Sequence, residues 1–153
     1  MKVELMNMCM IHDIDTDRVV VLDKTVKEGW EGLTFPGGHV ESMESLTDSV
    51  IREVYEETGL IIKNPRFKGF VHWINLADDS KQIGLLYYSN EFEGNLIEST
   101  HEGKVYWMDL QEFLNIENKS MSMDDCMKLF LEDKFMEAIS TWDGESLTPF
   151  RYF

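Results

Sequence analysis

An α/β (α+β) fold with a mixed β-sheet between helices is what this sequence predicts. Three observations carry the expectation. Apolar residues recur at four-residue spacing in one stretch, short apolar runs rich in β-branched and aromatic residues occur in several others, and Gly, Pro, Asn and Asp punctuate the boundaries. At 153 residues the chain is long enough to bury a core unaided, and 1–153 reads as a single domain.

The elements follow in order. Met6–Ile11 and Arg18–Leu22 read as strands around a polar turn at His12–Asp17, and Glu28–Gly32 reads as a loop. Leu33–Phe35 is a short strand stopped by Pro36-Gly37-Gly38, a break in which two residues lack a Cβ. From Ser45 the pattern turns helical: Leu46, Val50 and Val54 form a stripe that Ile51 and Tyr55 widen. Ser45 is placed to cap this helix and Gly59 to end it, so it spans Leu46–Thr58. Phe67–Ile74, Gln82–Ser89 and Lys104–Met108 are strand-like, the last two joined through Phe92–Asn95. A second amphipathic helix is expected at Met127–Ile139, with Leu129, Phe130, Met136 and Ile139 as its apolar positions. Asp143-Gly144 predicts a hairpin turn.

Charge narrows the function. With 29 acids against 14 bases the formal net charge is −15, which repels a polyphosphate backbone and argues against a long nucleic-acid partner. A small anionic substrate meets the same repulsion unless divalent cations accompany it. Cys9 and Cys126 stand far apart without CxxC spacing and read as buried free thiols in a reducing, cytoplasmic setting. The N-terminal apolar run is too short for a signal peptide, and no stretch approaches the roughly 20 apolar residues of a membrane helix.

The chemistry is concentrated between Gly38 and Leu60, which reads GHVESMESLTDSVIREVYEETGL. On a helix Glu53, Glu56 and Glu57 stand at i, i+3 and i+4, so their carboxylates share a face opposite the apolar stripe. Like charges so spaced destabilise a helix by about 0.2–0.5 kcal/mol per pair, and negative charge in the last turn opposes the macrodipole. Over Glu41–Glu57 six acids face Arg52 alone. An arrangement so poor for a bare helix suits a hard cation, and clustered carboxylates without sulfur or imidazole point to Mg²⁺, with Mn²⁺ as the second choice. Two or more such ions would clamp a pyrophosphate and ready a water for attack.

The segment resembles the Nudix box, Gly-x5-Glu-x7-Arg-Glu-U-x-Glu-Glu-x-Gly-U with U aliphatic, at every specified position. A chance match in such a chain is on the order of 10⁻⁸. The resemblance implies a Nudix-type α/β/α sandwich and hydrolysis of a phosphoanhydride bond in a nucleoside diphosphate derivative. It implies Glu56 and Glu57 as metal ligands, Glu53 as a ligand or as the base, and a carbonyl ligand from the Gly38 region. Glu44 and Arg52 are expected to brace the loop against the helix. Family members often recruit one further acid from outside the box; Glu102 is the choice here, with Glu98 as its competitor. The catalytic set is then Glu53, Glu57 and Glu102.

Outside the box, Glu91–Ile97, His101-Glu102-Gly103 and Leu131–Phe135 look like small MutT-type proteins of bacteria. This points to a nucleoside triphosphate such as 8-oxo-dGTP, cut to monophosphate and pyrophosphate. ADP-ribose or another nucleotide sugar or dinucleotide is the alternative substrate, and a non-catalytic nucleotide-sensing module is the alternative class. Trp30, Phe35 and Trp73 are available to stack on a base, and Asn115, Asn118, Asp124 and Asp125 to read its edge.

Overall fold

The computed structural model of the chain describes residues 1–25 and 29–153. It opens with β1 (Lys2–Asp13), which turns through a polar loop into β2 (Arg18–Lys24). After β3 (Gly32–Thr34) come a long loop and α1 (Leu46–Thr58), then β4 (Ile61–Lys63), β5 (Arg66–Asn75), β6 (Ser80–Ser89) and β7 (Glu91–Glu93). β8 (Ser99–Thr100) and β9 (Gly103–Asp109) precede α2 (Leu110–Asn115) and α3 (Met123–Leu131), and β10 (Glu137–Trp142) and β11 (Arg151–Tyr152) close the chain. The expected Glu28–Gly32 loop lies partly outside the described residues; Gly32 itself opens β3.

Nine strands form one sheet in the order β11-β10-β5-β6-β1-β2-β9-β8, with β3 paired to β2. β1 runs parallel to β6 and β10 parallel to β5, while the other pairs in this sheet are antiparallel. The sheet is therefore mixed, as expected. β4 and β7 pair separately, so Phe92–Asn95 is not the simple link between two long strands that the sequence indicated.

Alternation along β1 and β2 explains why helices cover both faces. Cys9, Ile11, Val20 and Leu22 pack with Val50 and Val54 of α1. Met10, Val19 and Val21 point to the other side, against Phe113 of α2 and Met127, Leu129 and Phe130 of α3. Successive strand residues face opposite ways, so two buried faces demand near-continuous apolar runs such as Val19–Leu22. Each apolar side chain so buried contributes about 1.5–3 kcal/mol. Both cysteines are buried and unpaired.

Two further expectations need correction, and one helix goes beyond them. The helix predicted at Met127–Ile139 is two elements: α3 ends at Leu131, and Glu137–Trp142 is a strand parallel to β5. Ala138 and Ser140 are buried while their neighbours are partly exposed, a period of two that the leucine and phenylalanine of α3 masked. α2 is too short for the apolar pattern to announce it, although Asp109 accepts from the Glu112 N–H at 3.1 Å, an Asp-x-x-Glu cap written in the sequence. In α1, Leu46 and Tyr55 are exposed, and the buried face is Ser49, Val50, Val54 and Thr58. The helix axis is turned so that its polar Ser49 faces the loop carrying the glycines.

After their shared turn β1 and β2 diverge, being paired only at His12–Val19 and Asp13–Arg18. The segment Pro36–Val40 fills the gap along the edge of β1. Cys9 N–H donates to the Pro36 carbonyl, Asn7 N–H to Gly38, and Val40 N–H to Leu5. This seam is what sets the glycine loop against α1.

Candidate metal and active site

Gly37 must be a glycine for reasons of space, and Gly38 leaves the room that the Glu53 carboxylate occupies. A Cβ on Gly37 would overlap the backbone of Asn7 and Met8, and one on Gly38 would overlap the carboxylate of Glu53. Asn7 fixes this approach from both sides: its Oδ1 accepts from the Gly38 N–H at 3.1 Å and its Nδ2 donates to Ser49 Oγ at 2.8 Å. Strand, loop and helix are thereby pinned by one buried amide. Nothing in the local sequence singles out Asn7, because its role depends on a loop thirty residues away in the chain.

α1 starts at Ser45, whose Oγ accepts from the Asp48 N–H at 3.0 Å, and ends at Gly59 in the left-handed conformation with φ of 79°. Between these caps the box side chains separate into two groups. On the outer flank Arg52 donates from Nε and Nη2 to both oxygens of Glu44, at 2.9 and 2.7 Å. Its Nη1 meets Glu53 at 2.8 Å and Glu56 at 3.3 Å, and its Nη2 reaches the His39 carbonyl at 3.0 Å. One guanidinium thus ties helix to loop and offsets three carboxylates. The Arg52 fork, with the Glu41 N–H, holds the Glu44 carboxyl down at about 2.

The inner group lies in a cavity of about 220 Å³ bordered by Gly37, Gly38, Glu53, Glu57, Glu102 and Lys24. Glu57 accepts from the Gly37 N–H at 3.2 Å. Burial pushes its carboxyl up to about 8, the Gly37 N–H and Lys24 pulling down and the charges of Glu102 and Glu53 pushing up. Glu102 Oε2 is buried without a hydrogen-bond partner, and Lys24 Nζ stands 4.0 Å from it. An unpartnered buried carboxylate oxygen is costly, by about 1–3 kcal/mol or more for a charged group. Such an atom beside two further carboxylates fits a site that a cation completes.

The sequence-derived residues are thus only partly brought together. Glu53, Glu57, Glu102 and Gly38 border one cavity, whereas Glu56 sits on the exposed flank with Arg52 and Glu98 is exposed. Among the described residues no three acids, histidines or cysteines converge closely enough to form a ready-made ion cage. The Gly38 carbonyl already accepts from Asn7 N–H at 2.8 Å and has one lone pair left. Lys24, at the end of β2, is a cavity residue that sequence reasoning missed; a lone strand-end lysine carries no local signal.

Trp30, Phe35 and Trp73 all border the same cavity, and Phe35 is otherwise buried and stacked on Phe113 with ring centroids 4.9 Å apart. Asn115, Asn118, Asp124 and Asp125 do not border it. Asp125 accepts from Tyr152 Oη at 2.8 Å, and Asp124 lies 3.2 Å from Lys119.

Residues 7–130 match the NUDIX domain family. The Nudix hydrolase YvcI of Bacillus subtilis is 36% identical over 106 residues, 67% of this chain and 66% of that protein. The chain thus spans just under two thirds of this relative. The phosphatase NudJ of Escherichia coli is 26% identical over 115 residues, 72% of this chain and 71% of its own. Among solved structures, the Mutator MutT protein from Bacillus halodurans superposes with a TM-score of 0.79 at 26% identity, covering 97% of both chains.

Proposed function

Since the chain belongs to the Nudix family, we propose that it is a divalent-cation-dependent pyrophosphohydrolase of small nucleotides. Its substrate is a nucleoside triphosphate such as 8-oxo-dGTP, cleaved to the monophosphate and pyrophosphate. The observation that carries this reading is the inner carboxylate group. Glu57 is held largely protonated at neutral pH and Glu102 carries an unpartnered oxygen beside it, an arrangement a cation would relieve.

Glu53, Glu57 and the Gly38 carbonyl would hold the cation, Mg²⁺ or Mn²⁺, with Glu102 of the same cavity completing the set; Glu56 would join them only by leaving the Arg52 guanidinium on the exposed flank. When bound, the ion neutralises phosphate oxygens and acidifies water. The chain's own groups do the rest. Glu53 is oriented by Arg52 Nη1 at 2.8 Å, which leaves its second oxygen free to accept a proton from the attacking water. That water's oxygen bonds to phosphorus, the bridging P–O bond breaks, and its electron pair leaves with the departing phosphate group. Lys24, 4.0 Å from Glu102, is the cavity's ammonium and meets the substrate's negative charge. Arg52 keeps Glu44 ionised and the loop closed on the helix, so the glycines stay against Glu53. No helix among the described residues is long and apolar enough to cross a membrane, and the proposed setting is the cytoplasm.

Incubation of the purified protein with Mg²⁺ and a panel of 8-oxo-dGTP, common nucleoside triphosphates, ADP-ribose and a dinucleoside polyphosphate tests this directly. Chromatography should show monophosphate and pyrophosphate, strongest from the oxidised purine. Preferential cleavage of ADP-ribose would overturn the substrate, and no turnover with either ion would overturn the enzyme.

A further inference from the structure

A second cavity of about 410 Å³ adjoins the first, and Trp30, Trp73, Gln82 and Met121 border both. Its wall follows from strand register. Glu4 stands opposite Gln82, and Gln82 opposite Trp73, across β1, β6 and β5. Residues so paired share one face of the sheet, so the three side chains form a row. Gly84, two residues on from Gln82, leaves room for the Trp73 indole, whose ring would lie 3.4 Å from a Cβ placed there. Trp30 stands edge-on to Trp73 at 5.6 Å and 82°, making an aromatic corner. With Trp142, three of the chain's four tryptophans border this one cavity.

The polar part of the row has a fixed orientation. Gln82 Nε2 donates to Glu4 Oε2 at 3.2 Å. A carboxylate can only accept, so the amide nitrogen must face Glu4 and the amide oxygen must face away. Lys2 Nζ, 3.3 Å from Glu4 Oε1, supports the ionised carboxylate. The wall beside the tryptophans therefore offers two acceptors, the Glu4 carboxylate and, on the far side of the amide nitrogen, the Gln82 oxygen. A base edge with a ring N–H beside an exocyclic amine, as in guanine, presents donors to both. Adenine places a ring-nitrogen acceptor where guanine has its N–H, and leaves a carboxylate or amide oxygen unpaired.

Resting on the nucleotide reading above, we propose that this cavity is the nucleoside subsite, with Trp73 and Trp30 holding the base and Gln82, oriented by Glu4, selecting a guanine-type edge. The subsite joins the carboxylate cavity through shared walls, so a base seated here places its phosphates toward Glu53, Glu57 and Glu102.

Nucleoside monophosphates contain no anhydride bond, so tryptophan quenching by GMP, IMP and AMP, with Mg²⁺ present, reads binding without turnover. GMP should bind roughly tenfold or more tighter than AMP, with IMP, which lacks the exocyclic amine, between them. Gln82→Leu and Glu4→Gln should each bring the GMP-to-AMP ratio toward one, and Gln82→Glu, close in shape, checks that any loss is not misfolding. Equal quenching by GMP and AMP, no quenching at all, or a preference unchanged in Gln82→Leu and Glu4→Gln would overturn the subsite. Selective GMP binding without hydrolysis of any triphosphate would leave the subsite standing and remove the catalytic reading instead.

Discussion

Glu44 and Glu57 belong to the same short segment, yet the protein treats their carboxyls oppositely. Glu44 lies against the Arg52 fork and is held at about 2, whereas Glu57 lies in the inner cavity and is pushed up to about 8. Glu44 has a permanent cationic partner, and Glu57 has one peptide N–H, a distant lysine and two like charges. The outer region is thus an electrostatically closed structure that shapes the loop. The inner region is electrostatically incomplete as protein alone, with a buried carboxylate oxygen of Glu102 left unpartnered.

Removing the inner charge should have the largest effect. Glu57→Gln is expected to lower Mg²⁺-dependent pyrophosphate release by about 10³-fold, in the range seen when a single charge-stabilising or acid–base group is lost. The same substitution should raise the stability of the cation-free protein at pH 8 by about 1–2 kcal/mol, because a neutral amide relieves the burial of charge. Steady-state assays and denaturant titration of one preparation check both halves. A parallel loss of activity and stability would break the contrast.

Gly38→Ala comes next. The new methyl group would collide with the Glu53 carboxylate, the flexible end of a side chain, so Glu53 swings aside and the fold survives. Turnover should fall about 10²-fold with a melting temperature within a few degrees of the parent's, since misplacing a catalytic group costs rate before stability. In the outer region the ranking reverses. Arg52→Ala strips Glu44, Glu53 and Glu56 of their shared partner and should lower the melting temperature more than Gly38→Ala does. Its activity should fall only about tenfold, measured at saturating Mg²⁺ and at a temperature where the variant is folded.

The smallest effect is on pH dependence, and here the two regions have opposite signs. Glu44 has its folded value below the unfolded one, so the stability it contributes is present above about pH 4.5 and is lost as pH falls toward 2. Glu57 has its folded value above the unfolded one, so its contribution is full below about pH 4.5 and is lost as pH rises through about 8. Thermal melts of the cation-free protein should decline between about pH 4.5 and 8, and Glu57→Gln should flatten that limb while leaving the loss toward pH 2 unchanged.

The division between these regions was only half legible beforehand. The box residues stand at fixed spacing, so their presence and their helix could be read from local pattern alone. Their separation into an outer and an inner group could not. It depends on how far α1 is rotated, and that rotation buries Ser49 and exposes Leu46, against the apolar pattern. Glu56, ranked by spacing beside Glu57, falls outside the inner cavity for the same reason. Asn7 and Lys24 reach the site only through the divergence of β1 and β2, a tertiary feature. β10 reads locally as the continuation of a helix because its parallel partner β5 lies far away in sequence. Of the two loop acids, Glu102 borders the cavity and Glu98 is exposed, a difference of side-chain placement that their sequence context does not carry.

The central claim is that the inner carboxylates are built for a cation, and proton release on metal binding tests it most directly. At pH 7 the Glu57 carboxyl is mostly protonated, so a cation that takes its place must displace that proton. Calorimetric titration of Mn²⁺ in buffers of different ionisation enthalpy should show about one proton released per protein, and Glu57→Gln should release none while binding more weakly. Binding without proton release, or the same release from Glu57→Gln as from the parent, would contradict the account.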